Sequence, residues 1–348
     1  MKRSGQRELT IWIFLVPLTV AAACTCLAFA FGGSSAIAAE RVLEPDRVLM
    51  APPASQPLEP PLLAEGENLR FPGGYKGETV ALPVSEADLY RGFLILINSV
   101  NHLPFDYVPV NLVVSNNMAE TVNQTSFAVT KYRLELQATV LESLLTMINE
   151  AWTTQAIGGY LLQSGYRDFY YQTSLHQNKI QEYRNQGYEE AEAVEAAAFW
   201  VAKPGESEHQ TGLCMDLSSR SHPELEPSYA ATDNGKWLAE NCWRYGFIVR
   251  YAEDKSDITR IGFEPWHIRY TGRPHSDLIQ QKGWCLEEYM DFLITEGGYT
   301  FRDEEGQIWQ VDYQPFGQGS IQVPADLPYT LSGDGGNGFI VTVLLESE

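Results

Sequence analysis

Two histidines, an aspartate and a glutamate stand in a pattern able to hold a divalent metal and work a water molecule beside it. His209 and Asp216 lie in Ser207-Glu-His-Gln-Thr-Gly-Leu-Cys-Met-Asp216, and Glu264 and His267 in Glu264-Pro-Trp-His267, in a chain with only six histidines. Two neutral imidazoles and one carboxylate make a three-ligand zinc site with a position open to water. A nearby carboxylate that does not bind the metal can act as general base. On one unbroken strand His209 and Asp216 would face opposite ways. Gly212 between them offers a turn or bulge, after which Leu213–Leu217 reads as a short strand, so the two side chains can converge. Pro265 disfavours a helical Glu264, and a bent loop is expected to bring the base and the third ligand from another element. The competing reading is a polar strand whose histidines make ordinary hydrogen bonds, and spacing alone does not choose between the two.

More of the chain falls into an ordered set. Ser207-x-His209-x-x-Gly212-x-x-x-Asp216 and Glu264-x-x-His267 are accompanied by Ser164-Gly-Tyr-Arg167, Gln172, Trp237-Leu, Tyr245-Gly-Phe247 and Arg250-Tyr251. Glu264-Pro-Trp-His-Ile-Arg-Tyr270 and Leu286-Glu-Glu-Tyr289 complete it. Over roughly residues 95–295 this set resembles the VanY-type D-alanyl-D-alanine carboxypeptidases, zinc peptidases that trim bacterial wall peptides. The resemblance implies Zn²⁺ held by His209, Asp216 and His267, with Glu264 as base. It further implies Arg167, Gln172 and Ser207 at the substrate's carboxylate end and reacting group, and Trp266 shaping the pocket. Arg167 by itself reads as a surface ion-pair residue, although its planar fork suits a carboxylate. Cys214 departs from the pattern, standing where the family usually has alanine. Cys214 and Asp216 share a strand face, so the thiol could approach the metal as a fourth ligand and block the open position. A small buried residue filling the alanine's space is the preferred reading.

The elements that must position these residues follow from periodicity. Tyr160–Ser164 reads as a strand leading into a helix that carries Gln172, with His176 on that helix's exposed side. Apolar residues at helical spacing from Tyr132 to Trp152 predict an amphipathic helix packed on the sheet. Leu94–Asn98 reads as a short strand, and the Ala/Glu-rich stretch 178–200 as helix. Gly235–Gly246 is expected to be a helix stopped by glycine, and Leu286–Thr295 a closing helix. His102, His222 and His275 are read as surface or structural residues. The expected fold is α+β, a small, mainly antiparallel sheet carrying the zinc site with helices around it. That architecture comes mainly from the resemblance. From Glu296 to Glu348 strand-like alternation with Gly-rich turns predicts a small β appendage.

Before residue 67 the composition changes. Lys2, Arg3 and Arg7 precede an apolar run from Ile11 to Phe31, so residues 1–39 read as a cytoplasmic tip with a transmembrane or signal-anchor segment. Ala36–Ala39 offers an alternative cleavage site. Residues 40–66 are Pro-rich and read as a spacer, leaving 67–295 as the peptidase domain outside the cell. Beyond the membrane, Cys214, Cys242 and Cys285 allow at most one internal disulfide. A net charge of −21 and a pI near 4.7 argue against a nucleic-acid partner. The expected partner is the peptidoglycan stem peptide, and the expected reaction is removal of its terminal D-Ala by a D,D-carboxypeptidase. An L,D-carboxypeptidase acting on tetrapeptides and a wall-binding module with structural zinc are the alternatives.

Overall fold

A computed structural model describes residues 63, 68–71, 74–115, 126–131, 133–317 and 319–346. The expected N-terminal anchor, and the spacer apart from Leu63, lie outside these residues. Among the described residues no helix is long and apolar enough to cross a membrane.

The chain is α+β. Its first strands are β1 (Leu69–Arg70), β2 (Thr79–Pro83), β3 (Leu112–Val114), β4 (Phe127–Val129) and β5 (Glu135–Gln137), followed by helix α1 (Ala138–Gln155). Strand β6 (Tyr160–Ser164), helices α2 (Phe169–Asn185) and α3 (Glu190–Ala198), and strand β7 (Cys214–Ser219) come next. Then come α4 (Asp233–Asn241), β8 (Phe247–Tyr251), α5 (Ser256–Thr259), β9 (Glu264–Tyr270), α6 (His275–Lys282) and α7 (Leu286–Glu296). The chain ends in β10 (Gly298–Arg302), β11 (Ile308–Pro315), β12 (Ser320–Pro324), β13 (Tyr329–Gly333) and β14 (Gly338–Glu346).

One five-stranded sheet, in the order β4-β6-β7-β9-β8, carries the candidate site. It is antiparallel except for the β4–β6 pair. Met215 and Leu217 on β7 and Trp266 and Ile268 on β9 join a buried core with α1. Strand alternation therefore sends Cys214, Asp216, His267 and Arg269 to the other face. Helix α1 buries Val140, Leu141, Leu144, Leu145, Met147 and Ile148 and has no side-chain cap at its start. Each such side chain contributes about 1.5–3 kcal/mol over exposure, so packing fixes this helix rather than its ends. The helix begins later than its apolar period suggests, because Glu135–Gln137 is drawn into an antiparallel pair with Leu112–Val114. Gln137 N–H donates to the Gly212 carbonyl, which ties that pair to the metal-motif turn.

The predicted strand at Leu94–Asn98 does not form. Side chains and single backbone contacts satisfy this segment in place of a ladder. Leu94 N–H donates to Ser332 Oγ, Leu96 N–H to the Asp334 carbonyl, and Arg269 Nη2 to the carbonyls of Phe93 and Ile95.

A second five-stranded sheet, β1-β10-β11-β14-β13, and the pair β2–β12 take up the C-terminal strands, so chain from before residue 84 pairs with chain after 297. Helices α6 and α7 pack on this sheet through Leu278, Ile279, Leu286, Tyr289 and Leu293. His275 sits at that junction, its Nδ1 2.6 Å from Tyr289 Oη and its Nε2 3.1 Å from Thr342 Oγ1. Burial pushes its imidazole down to about 3. An unfolded chain takes up this proton near pH 6.5 and the folded one does not, so stability present above pH 6.5 is lost as the pH falls toward 3. The slope from this group is up to ~1.4 kcal/mol per pH unit. Urea unfolding at pH 7 and pH 5 should show a smaller loss for His275→Gln than for the parent chain. Equal losses would mean that His275 does not remain neutral in the fold.

Candidate active site and metal centre

The turn that carries His209 spans Glu208–Thr211 and is closed by Gly212 at φ 69°, a left-handed conformation. That conformation calls for glycine, and a Cβ there would also have to turn aside the end of the Leu112 side chain, 2.7 Å away. The chain then enters β7, where Asp216 pairs directly with His267 on β9. Glu264 on the same strand would alternate onto the opposite face from His267. Between the Val249↔Ile268 and Tyr251↔Glu264 pairs, however, β9 spends more residues than β8. This irregularity lets the Glu264 carboxylate come within 3.7 Å of His267 Nδ1. The expected bend around Pro265 is thus a break of register inside a strand.

Asp216 Oδ1 lies 3.2 Å from His267 Nδ1, and Oδ2 lies 3.4 Å from His209 Nε2. His209 Nδ1 is 2.7 Å from the Gly165 carbonyl, which can only accept, so Nδ1 carries the proton and Nε2 presents a lone pair toward Asp216. The two rings are perpendicular, with centroids 4.9 Å apart. Asp216 thus reaches both imidazoles, a different oxygen to each, and gathers two nitrogen donors and a carboxylate in one place, a donor set able to hold zinc. All three side chains are buried. The donor set is neutral imidazole, neutral imidazole and carboxylate, and it suits that ion chemically as well. Cys214, fully buried, forms a group of possible metal ligands with the two imidazoles, their ligand atoms lying within 4.8 Å of one another. Burial works against ionising the thiol, but His209 and His267 outweigh it and draw Cys214 down to about 7. Cys242 and Cys285 are also unpaired and buried, so no disulfide forms among the three.

Arg167 is held on three sides: Nη2 donates to Asp216 Oδ2 (2.9 Å), Nε to Ser164 Oγ (2.9 Å) and Nη1 to Gln172 Oε1 (3.4 Å). Its own N–H donates to the His209 carbonyl, which locks the loop after β6 to the metal motif. Gln172 Nε2 donates to the Ala202 carbonyl, and one turn further His176 Nδ1 sits 2.7 Å from the Val201 carbonyl. His176 is therefore buried and not on the exposed side of α2, because the strap 201–202 lies across this helix face. His222, as expected, stays outside the site, against Ser228 and Glu226. His102 is an exposed turn residue.

All eight side chains singled out in the sequence line one cavity of about 480 Å³, within the size range of small-ligand pockets. Arg167, Gln172 and Ser207 stand on one side with His209, while Asp216, Glu264, Trp266 and His267 come from β7 and β9. Burial is the main influence on Glu264 and pushes its carboxyl up to about 8; Asp216 adds to this, while His267, His209 and Arg167 oppose it. A dication beside it would draw that value down. Two contributors were not assigned roles from sequence. Tyr251 lays its ring 4.8 Å from the His267 ring, and Glu208, fully buried, points a carboxylate at the far side of His267. Glu208 sits between Ser207 and His209 and is quoted within the motif, yet nothing in its spacing marks it as buried.

A family model, VanY, described as D-alanyl-D-alanine carboxypeptidase, matches residues 133–273. The chain is 34% identical over 272 residues to a D-alanyl-D-alanine carboxypeptidase of Enterococcus faecium, covering 78% of this chain and 81% of that protein. It is 31% identical over 293 residues to one of Enterococcus faecalis, covering 84% of this chain and 93% of that protein. Among solved structures, the vancomycin resistance D,D-dipeptidase VanXYg in complex with a D-Ala-D-Ala phosphinate analog superposes with a TM-score of 0.63 at 26% identity. That alignment covers 77% of this chain and all of the other. Residues 133–273 contain the whole cavity-lining set predicted from sequence, and the full-length likeness extends well to either side. On these likenesses, the chain belongs to the VanY family of D-alanyl-D-alanine carboxypeptidases.

Proposed function

We propose that the chain is a zinc-dependent D,D-carboxypeptidase that removes the terminal D-Ala from peptidoglycan stem peptides outside the cytoplasm. The observation that carries this reading is the placement of Asp216 at 3.2 and 3.4 Å from two imidazole nitrogens, with Glu264 and Arg167 beside it. His209, Asp216 and His267 hold the ion. When bound, zinc acidifies a water molecule and polarises the scissile carbonyl. Glu264 takes the proton as the water oxygen bonds to the carbonyl carbon, and returns it to the amine of D-Ala as the C–N bond breaks. Arg167, oriented by Ser164 and Gln172, pairs with the substrate's terminal carboxylate. Ser207 and Gln172 offer hydrogen bonds near the reacting group, and Trp266 forms a wall of the cavity. Structural zinc is normally closed by four protein ligands, so three well-spaced donors beside a free carboxylate favour catalysis over a wall-binding module.

The test is D-alanine release by the zinc-loaded full chain from stem pentapeptide and, separately, from tetrapeptide, with and without a chelator. Release from pentapeptide that a chelator stops and added zinc restores is the expected result. Release from tetrapeptide alone would make the enzyme an L,D-carboxypeptidase. Zinc bound with no release from either would point to the binding module.

A further inference from the structure

His267 Nε2 and Glu208 Oε2 are both buried, and neither has a hydrogen-bond partner. They face each other at 3.7 Å, about 0.5–0.8 Å beyond a hydrogen bond. Both side chains are at most 4% exposed, so bulk water does not serve either atom. The other oxygen, Glu208 Oε1, is pinned. It accepts from Arg250 Nε at 2.8 Å and meets Arg269 Nη1 at 2.8 Å in an ionic contact that is off hydrogen-bond alignment. Arg250 in turn makes a two-pronged contact with Glu287 at 2.8 and 2.7 Å, and Glu287 accepts from Asn98. Arg269 is fixed by the carbonyls of Phe93, Ile95 and Tyr270. Two arginines and two glutamates cancel in charge. The carboxylate beside His267 is therefore held rigidly without leaving a net charge in the core.

We propose that Glu208 is a positioning residue for His267, its Oε2 accepting the Nε2 proton so that the Nδ1 lone pair is the one turned toward Asp216 and Glu264. The opposite tautomer would set an imidazole lone pair against a carboxylate and aim an N–H at the ion. The Tyr251 ring, 4.8 Å from His267, limits rotation to any third arrangement. A carboxylate behind a ligating histidine fixes its ring and raises its donor strength, and loss of such a partner typically costs about 10- to 100-fold in metal affinity. This inference rests on His267 being a ligand, as proposed above.

Two measurements test it. In the zinc-loaded parent chain, nitrogen-15 NMR should find the His267 proton on Nε2. In Glu208→Gln, competition against a chromophoric chelator should show zinc affinity reduced about 10- to 100-fold, with kcat at saturating zinc falling less than that. A proton on Nδ1 in the parent, or a folded Glu208→Gln chain with parental zinc affinity, would overturn the pairing. If Glu208→Gln does not fold, the parent-chain tautomer decides alone. A parent chain that binds no zinc would overturn the metal-site reading and the pairing with it, an outcome the zinc stoichiometry separates from the others.

Discussion

Glu264→Ala should bind zinc as the parent chain does and lose about 10²- to 10⁴-fold in kcat on stem pentapeptide, the range a positioned acid–base group supplies. That loss corresponds to ~2.7–5.5 kcal/mol of barrier. Zinc should stay because Asp216, at 3.2 Å from His267 Nδ1, already occupies the donor position, whereas Glu264 stands further off at 3.7 Å. Turnover should fall because, in the proposed mechanism, Glu264 both takes the water's proton and delivers it to the leaving amine. Burial raises its carboxyl, while the histidines, Arg167 and a bound dication favour the ionised form that accepts the proton. Glu264→Gln keeps the shape and removes the titration, and should fall nearly as far. Zinc stoichiometry and steady-state D-alanine release give both readouts. A variant keeping more than a tenth of the parental kcat, or one losing the metal, would remove Glu264 from the base role.

The parts of this arrangement that were legible in the sequence are those set by local chemistry. His209 and Asp216 are separated by a glycine whose left-handed turn makes their convergence possible, and that glycine is visible in the chain. The strand at Tyr160–Ser164 and the helix that carries Gln172 were both read from the chain; the structure adds that Asp168 caps α2 by accepting from Tyr171 N–H. The approach of Glu264 to His267 was harder to read, since it depends on how β9 slips against β8, a property of two strands together. His176 was misplaced because nothing local says that Val201 and Ala202 will lie across its helix face. The apolar run at Leu94–Asn98 looks like a strand, but its partners are an arginine side chain and a serine hydroxyl from far along the chain. The alternation after Glu296 announces strands. It gives no sign that Leu69–Arg70 and Thr79–Pro83 will pair with them. Glu208 was hidden for the same reason: it reads as an acidic turn residue until Arg250, Arg269 and Glu287 are brought around it.

That network makes Arg250→Met the largest stability loss expected from a single change outside the cavity. Arg250 is fully buried and makes one contact with Glu208 and two with Glu287, its guanidinium lying 5.0 Å from the Tyr251 ring. Met fills much of the space and removes the charge, which leaves Glu287 with Asn98 and Glu208 with Arg269 alone. Breaking a buried pair from one side costs about 3–5 kcal/mol, because Glu287 loses its charged partner and Glu208 one of two, with no water to replace them. The exposed pair Arg184–Glu190 is the control: Arg184→Met should shift stability by less than about 0.5 kcal/mol. Urea unfolding of both variants at pH 7.5 makes the comparison, and adding Glu287→Gln to Arg250→Met should recover part of the loss by removing one stranded charge. No recovery would mean that packing, not the unpaired carboxylate, sets the cost. Since Arg250 also steadies the carboxylate that faces His267, Arg250→Met should weaken zinc binding in the folded protein. A surface change such as Arg184→Met should leave zinc affinity where it was.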